Sequence, residues 1–369
     1  METQLDTNNS RSKWIGTSNR GFAVQAVEEL RRLFTGLKFS YLMPAEVFMF
    51  DVPMAKEEAL EIINRDMPMF LRHLQPVDHE IERAAVDGDQ QDTEGQDEIA
   101  SEDASNHVDL KALAQLLAEQ YTFEAGEKVT VQVRKSEGIP MAYSVASIRE
   151  TADRVLHEKI EAETVVRGAD RIISIYVVED MMFIGVSRPQ ENVSDWSGGA
   201  IRFRKEDGQV SRAKFKLLEA EYVFSLDFTQ YRSAVDLGAA PGGWTSLLLE
   251  RGLDVTAVDT GTMDPALMKN PKLKFIRKNA SSVKLAEHGF DLMVCDMSWH
   301  PKQTAGLLKD LLHALKYGGT VIVTVKLMNK KAFQTVRDFV RILEPELQLQ
   351  GAKQLFHNRE ELTLFLMKK

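Results

Sequence analysis

Apolar and polar residues change rhythm twice along this chain. In residues 22–34 (FAVQAVEELRRLF), Ala23, Val27, Leu30 and Phe34 recur at helical spacing, and 56–64 (KEEALEIIN) reads as a second helix. Short apolar runs at 13–18 and 46–52 read as strands, which together predict a small α+β unit with few residues for a large core. A second small unit follows further on. It has a helix over 110–121, an alternating strand at 128–134 (KVTVQVR) and a long amphipathic helix over 144–163. It closes with a hairpin of 171–178 and 181–186 around Glu179 and Asp180.

From about residue 200 the pattern becomes apolar strands alternating with helices. Strands are expected at 233–237, 253–258, 273–276, 290–295 and 320–325. Helices are expected at 210–222, from Trp244 onward, and over 303–315 and 331–343. Such alternation argues for a parallel sheet covered on both faces. The last two runs, 347–355 and 362–367, are separated by FHNREE and read as a hairpin.

Between the first two blocks, 80–105 reads EIERAAVDGDQQDTEGQDEIASEDAS, with ten acids, one arginine and no aromatic residue. That composition cannot bury enough apolar surface to offset its ordering entropy, so a flexible linker is expected over 80–106. The expected organisation is therefore modules at 1–79, 107–199 and 200–369, with the linker after the first. The linker also explains the net charge. The whole chain carries −9, yet 200–369 holds 26 basic and 19 acidic residues, so a polyanionic partner is compatible with the C-terminal part.

Composition excludes other classes. No run of about eighteen apolar residues indicates a membrane span. The polar start METQLDTNNSRSKW is not a secretory signal. The single cysteine, Cys295, can form neither an internal disulfide nor a thiolate cluster, which fits a reducing cytoplasm. No histidine pair has zincin spacing, so no metal is expected. Cys295 has no cation beside it in sequence and reads as a small buried apolar residue rather than a nucleophile.

The chemistry concentrates in AVDLGAAPGGWTS, residues 234–246. A phosphate-binding loop would end in Gly-Lys-Ser/Thr, and this one has no lysine. A dinucleotide loop needs G-x-G-x-x-G, whereas here Ala240 and Pro241 stand before Gly242. The loop still follows a strand and opens a helix, where glycines admit a ligand and a helix N-terminus favours a carboxylate. One strand later Val258 and Asp259 end in an acid, the place where a ribose diol is bound in doubly wound sheets. The pair suggests an adenosine with an amino-acid tail and no phosphates, S-adenosyl-L-methionine. A plain strand–turn–helix is the competing reading.

Four more stretches accompany the loop: SRAKFKLLEA (211–220), VCDMS (294–298), VTVKL (323–327) and NREELTLFL (358–366). In this order they resemble the motifs of the FtsJ-type ribose 2′-O-methyltransferases over about 210–369. The resemblance implies an α/β, Rossmann-like class I methyltransferase sheet of seven strands with the last antiparallel. The two upstream units resemble ferredoxin-like and THUMP RNA-binding modules. Carried over residue by residue, the family's catalytic tetrad becomes Lys216, Asp296, Lys326 and Glu361, with Lys214 and Glu360 as the neighbouring registers. Lys326 would accept the hydroxyl proton, Asp296 would orient it, Lys216 would favour the alkoxide and Glu361 would position the lysines. The cofactor residues would be Gly238, Ala239, Pro241, Gly242, Gly243, Trp244, Asp259, Asn279 and Asp296. Asp264 falls in the loop after Asp259. Asn279 replaces the acid the family often has near the adenine.

The expected partner is structured RNA, with ribosomal RNA as substrate, no membrane, no metal and a monomer as the favoured state. Arg202, Arg204, Lys205, Arg212, Lys214, Lys330 and Lys331 are candidate phosphate contacts, and Trp299 is a candidate base-stacking residue. Two rival readings remain. One is a THUMP-type guanine-N2 methyltransferase, although the Asn/Asp-Pro-Pro-aromatic motif of those enzymes is replaced here by Asp296-Met297-Ser298-Trp299. The other is a methyltransferase fold that binds RNA without catalysis.

Overall fold

The computed structural model describes residues 11–86, 107–160, 162–204, 208–328 and 331–369, without the side chains of residues 159 and 160. The chain divides into two compact units, Met1–Ala200 and Ile201–Lys369. Among the described residues no helix is long and apolar enough to cross a membrane.

The first unit begins with β1 (Ser12–Thr17), α1 (Ala23–Leu33), β2 (Lys38–Met43), β3 (Val47–Val52), α2 (Lys56–Asp66) and β4 (His73–Pro76). These strands form one antiparallel sheet in the order β2-β3-β1-β4. The stripe expected on α1 is real: Ala23, Val27 and Leu30 are buried, as is Phe34 just beyond the helix. β2 and β4 carry no sequence signal. β2 is a largely exposed edge strand, and β4 (HLQP) is polar yet buried throughout.

A second sheet follows with β5 (His79–Glu82), α3 (Val108–Gln120), β6 (Lys128–Lys135), α4 (Val145–Val155), β7 (Glu163–Thr164), β8 (Arg171–Val177) and β9 (Met181–Ser187). Its order is β5-β9-β8-β6-β7. Leu110, Leu113 and Leu117 of α3 and Ile148, Ala152 and Val155 of α4 form its core with the valines of β6. The long helix expected over 144–163 ends as α4, which passes into a wider turn at Leu156–Ile160.

The expected linker needs correction at its start. β5 pairs with β9, so His79–Glu82 belong to the second sheet. Arg83 is buried and donates to the carbonyls of Pro140, Val178 and Glu179 at 3.1, 2.5 and 2.6 Å. The Ala84 N–H donates to Asp109 Oδ1 at 3.0 Å, and Tyr143 Oη donates to Asp109 Oδ2 at 2.7 Å. The chain therefore leaves and re-enters one small sheet module here, rather than joining two. The remainder of the acidic stretch, 87–106, lies outside the described residues.

The second unit comprises α5 (Lys214–Val223), β10 (Ser233–Leu237), α6 (Gly243–Glu250), β11 (Asp254–Asp259), β12 (Leu273–Arg277), β13 (Phe290–Cys295), α7 (Pro301–Leu311), β14 (Leu315–Lys326), α8 (Ala332–Leu343), β15 (Leu347–Lys353) and β16 (Glu361–Lys368). The sheet order is β12-β11-β10-β13-β14-β16-β15. The first five strands are parallel, and β16 is antiparallel to both of its neighbours. Leu292 to Cys295 and Val321 to Val323 are all fully buried, as expected of strands covered on both faces. The strand order reverses at β10, so a crevice opens beyond the carboxyl ends of β10 and β13. α5 starts at Lys214, later than the periodicity predicts, because Ser211 Oγ accepts the Ala213 N–H at 3.2 Å and holds a turn ahead of the helix.

Candidate active site

Four elements bring the four tetrad residues together. Asp296 follows the last residue of β13. β14 ends at Lys326, which lies opposite Glu361, the first residue of β16. α5 supplies Lys216 from its first turn. The Lys216 Nζ lies 3.1 and 3.0 Å from the two Asp296 oxygens and 2.5 Å from Glu361 Oε1. Lys326 Nζ pairs with Glu361 Oε2. The result is an unbroken chain of contacts, Asp296–Lys216–Glu361–Lys326, in which Glu361 is only 1% exposed. Glu360, the neighbouring register, is exposed. Lys214 is not a surface phosphate contact: it is buried and paired with Glu250 at 2.8 Å.

The charges hold one another. Burial works against the Lys216 ammonium, but the carboxylates of Asp296 and Glu361 outweigh it, and its pKa stands above the ordinary lysine value. Burial also works against the Glu361 carboxylate. Lys216 and then Lys326 outweigh that, and its pKa lies below the usual glutamate value.

Two further residues orient this chain, Thr324 within VTVKL and Glu219 within SRAKFKLLEA, and neither was singled out from the sequence. Thr324 is 1% exposed and its hydroxyl donates to Asp296 Oδ1 at 2.7 Å. It lies two residues before Lys326 on one face of β14. Glu219, one turn after Lys216 on α5, accepts the N–H groups of Phe356 and His357 at 2.7 and 2.9 Å. It thereby clamps the segment that leads into Glu361. Sequence offers one signal for Glu219, an acid three residues from the tetrad lysine on the same helix. Thr324→Val removes the hydroxyl with little change of shape. A hydrogen bond to a charged group contributes about 1.5–3 kcal/mol, so the unfolding free energy is expected to fall by that amount in urea titration. An unchanged midpoint would count against the bond.

Beside Asp296 lies a cleft of about 260 Å³ lined by Gly238, Asp259, Asn279, Met297 and Trp299 among others. Gly238 has φ of +77°, and a Cβ there would come within 2.5 Å of Met297 Cγ, so only glycine keeps this wall open. Asp259 ends β11 and accepts the N–H groups of Ala240 and Gly261 at 3.1 and 2.6 Å. The same carboxylate therefore shapes the glycine loop and faces the cleft.

The other loop residues are placed differently from one another. Ala239 is buried against Ala257 and Met263, and Pro241 is exposed. Gly242 has φ of +118° and sits where a Cβ would meet Leu267 at 2.3 Å. A Cβ on Gly243 would lie 3.0 Å from Ser211. Trp244 follows the loop glycines as the second residue of α6. Its ring is buried in the core of the unit and its Nε1 donates to the Ala213 carbonyl at 2.8 Å, so it supports the loop from behind. Asn279 lines the cleft, but its Oδ1 already accepts from the N–H and Oγ of Ser281 at 3.0 and 2.9 Å. Asp264 accepts the Ala266 N–H at 2.8 Å and holds a turn.

Asp236, in the loop motif itself, is fully buried. Burial pushes its pKa up to about 7; the nearby carboxylates of Asp296 and Asp259 add to this, and a 2.6 Å bond from Thr245 opposes it. Burial pushes the Cys295 thiol up to about 12, so it is inert at neutral pH. Arg202, Arg204, Arg212 and Lys331 are exposed, whereas Lys205 and Lys330 lie outside the described residues.

The chain is similar to known proteins. Residues 209–352 match the family described as FtsJ-like methyltransferase. The chain is 34% identical over 211 residues to a Ribosomal RNA large subunit methyltransferase M from Laribacter hongkongensis, covering 54% of this chain and 59% of that one. It is 37% identical over 194 residues to the protein of the same name from Psychromonas ingrahamii, covering 49% and 53%. The chain thus spans a little over half the length of the curated relatives it matches. Among solved structures, TrmN from Thermus thermophilus is similar at 15% identity and a TM-score of 0.39, covering 97% of this chain and 100% of that one. With its seven-stranded mixed sheet and the match over residues 209–352, the C-terminal unit of this chain is similar to the FtsJ-like methyltransferases.

Proposed function

We propose that the chain transfers a methyl group to a ribose 2′-hydroxyl of large-subunit ribosomal RNA. The observation that carries this reading is the contact chain Asp296–Lys216–Glu361–Lys326 beside the cleft at the sheet's carboxyl edge. Two ammonium groups and two carboxylates suit a reaction that must take a proton from a weakly acidic alcohol.

S-adenosylmethionine, when bound, supplies the methyl group on a positively charged sulfur. The residues fit it: Gly238 leaves the backbone open, Asp259 can accept from a ribose diol, and Asp296 borders the same cleft. Ala239, Pro241, Gly242 and Gly243 would shape the loop that holds its amino-acid end, and Asn279, which lines the cleft, would serve the base. The two lysines and two carboxylates balance formally to zero, so an added positive charge favours release of a proton from an ammonium. Lys216 is held by two carboxylates and Lys326 by one, so Lys326 is the freer of the two to meet the hydroxyl as the general base. Lys216, kept charged, stabilises the forming alkoxide. Asp296 is fixed by Thr324 and Lys216, and alignment of the reacting atoms follows from that rigidity.

The upstream unit supports an RNA substrate. Its first sheet has the β-α-β-β-α-β order of ferredoxin-like modules. The second is read as a THUMP-like RNA-gripping module, and a cytoplasmic site of action accompanies a ribosomal substrate. The deciding experiment maps ribose methylation across total RNA with and without the protein, alongside labelled-methyl transfer to ribosomal RNA. Loss of one 2′-O-methyl position and label in alkali-resistant dinucleotides are expected. Label on a guanine base would establish the N2 rival, and RNA binding without label the non-catalytic one.

A further inference from the structure

We propose that the rings of Phe203, Phe215 and His357 form a stacking platform for an unpaired base that flanks the methylated ribose. The proposal rests on the ribose-methyltransfer reading above. The three rings form one close cluster with similar planes. Phe203 and Phe215 are 5.6 Å apart at 29°, Phe203 and His357 5.6 Å at 24°, and Phe215 and His357 5.3 Å at 37°. All three are partly exposed. On α5, Leu217 and Ala220 enter the apolar core of the unit, while Phe215 stays at its surface.

The platform is built onto the catalytic elements. Phe215 immediately precedes Lys216, and His357 stands four residues before Glu361. The Glu219 carboxylate holds the Phe356 and His357 N–H groups against α5, so the rings are fixed relative to the tetrad before any ligand arrives. A preformed surface loses little entropy on binding. The His357 Nε2 is buried without a hydrogen-bond partner, and burial lowers the ring's pKa, so the partly exposed ring is uncharged at neutral pH.

The surroundings select the occupant. Arg202 and Arg204 flank Phe203, and Arg212 and Arg359 stand on the neighbouring segments, all four exposed. An uncharged aromatic surface ringed by guanidinium groups matches a π-faced group on a polyanionic chain, which is a single-stranded nucleotide. Turning a ribose hydroxyl toward a catalytic lysine breaks the stack of its neighbours, and a protein ring can replace the lost partner.

The test measures methyl transfer to ribosomal RNA by wild type, Phe203→Ala and Phe203→Trp. It also follows quenching of a 2-aminopurine placed beside the target nucleotide. Phe203→Ala is expected to raise KM for RNA by roughly 5- to 100-fold. The change should appear in KM rather than in kcat, with affinity for S-adenosylmethionine unaltered and quenching lost. Phe203→Trp should restore both KM and quenching. Arg202→Ala and Arg204→Ala should each reduce the salt slope of binding by about one, which Phe203→Ala should not. Unchanged KM and quenching in Phe203→Ala would overturn the platform. Equal losses in the alanine and tryptophan variants would also overturn it, in favour of simple packing. If wild type transfers no methyl to ribose, the function reading fails, and quenching by wild type against Phe203→Ala decides the platform by itself.

Discussion

Lys326→Ala is expected to lower the rate of methyl transfer by about 10²–10⁴-fold, the range for loss of a positioned general base. Affinity for RNA and for S-adenosylmethionine should stay close to wild type, because neither Lys326 nor its partner Glu361 lines the cleft. The mutation leaves Glu361 paired with Lys216, so no buried carboxylate is stranded and the fold should persist. Lys326→Arg separates two roles. A guanidinium keeps the positive charge but cannot lose its proton near neutral pH. If Lys326 accepts the hydroxyl proton, the arginine variant is as inactive as the alanine one. If it contributes only positive potential, the arginine variant retains most of the activity. Single-turnover transfer of a labelled methyl group distinguishes these outcomes, and transfer surviving in Lys326→Ala would remove the tetrad from the mechanism.

The second large effect is on stability. Glu361 is almost wholly buried between Lys216 and Lys326. Removing one partner of a buried ion pair costs about 3–5 kcal/mol, because the remaining charge keeps its desolvation penalty. Glu361→Gln is expected near the lower end, since Lys216 retains Asp296. The loss should depend on pH with a defined sign. The folded-state pKa of Glu361 is depressed. Its contribution is therefore complete above the unfolded glutamate value of about 4.3 and disappears as pH falls through the folded value. The folded-state pKa of Lys216 is raised. Its contribution is complete below about 10.4 and disappears as pH rises through its folded value. Denaturant titrations should thus show a wild-type advantage that is level across the neutral range and narrows at both extremes. An advantage that grew on acidification would contradict the pairing.

How much of this was legible in the chain differs by region. In the C-terminal unit, β10, β13 and the buried part of β14 announce themselves as apolar runs, while β12 and β15 alternate apolar and polar residues. The glycine loop and Asp259 are also local, since one backbone turn and one strand end define them. The four tetrad residues stand in four short motifs, and their chemistry can be read before their distances are known. In the N-terminal unit the signals fail for physical reasons. β2 is an exposed edge without alternation, and β4 buries polar residues, among them Gln75, which donates to the Ser174 carbonyl across the sheets at 3.3 Å. β5 holds two glutamates and merges with the acidic run that follows it.

The sequence by itself determined which residue types the chain carries, in what order, and which local segments they shape. Tertiary structure decided which of two lysines faces the site: Glu250 takes Lys214 away and leaves Lys216 for Asp296 and Glu361. It decided between Glu360 and Glu361 through the pairing of β14 with β16. It turned Trp244 into the core and enlisted Thr324 and Glu219. Glu219 meets Phe356 across 137 positions of chain. Periodicity and turn chemistry act over a few residues, whereas burial and charge pairing are settled only when distant segments close on one another.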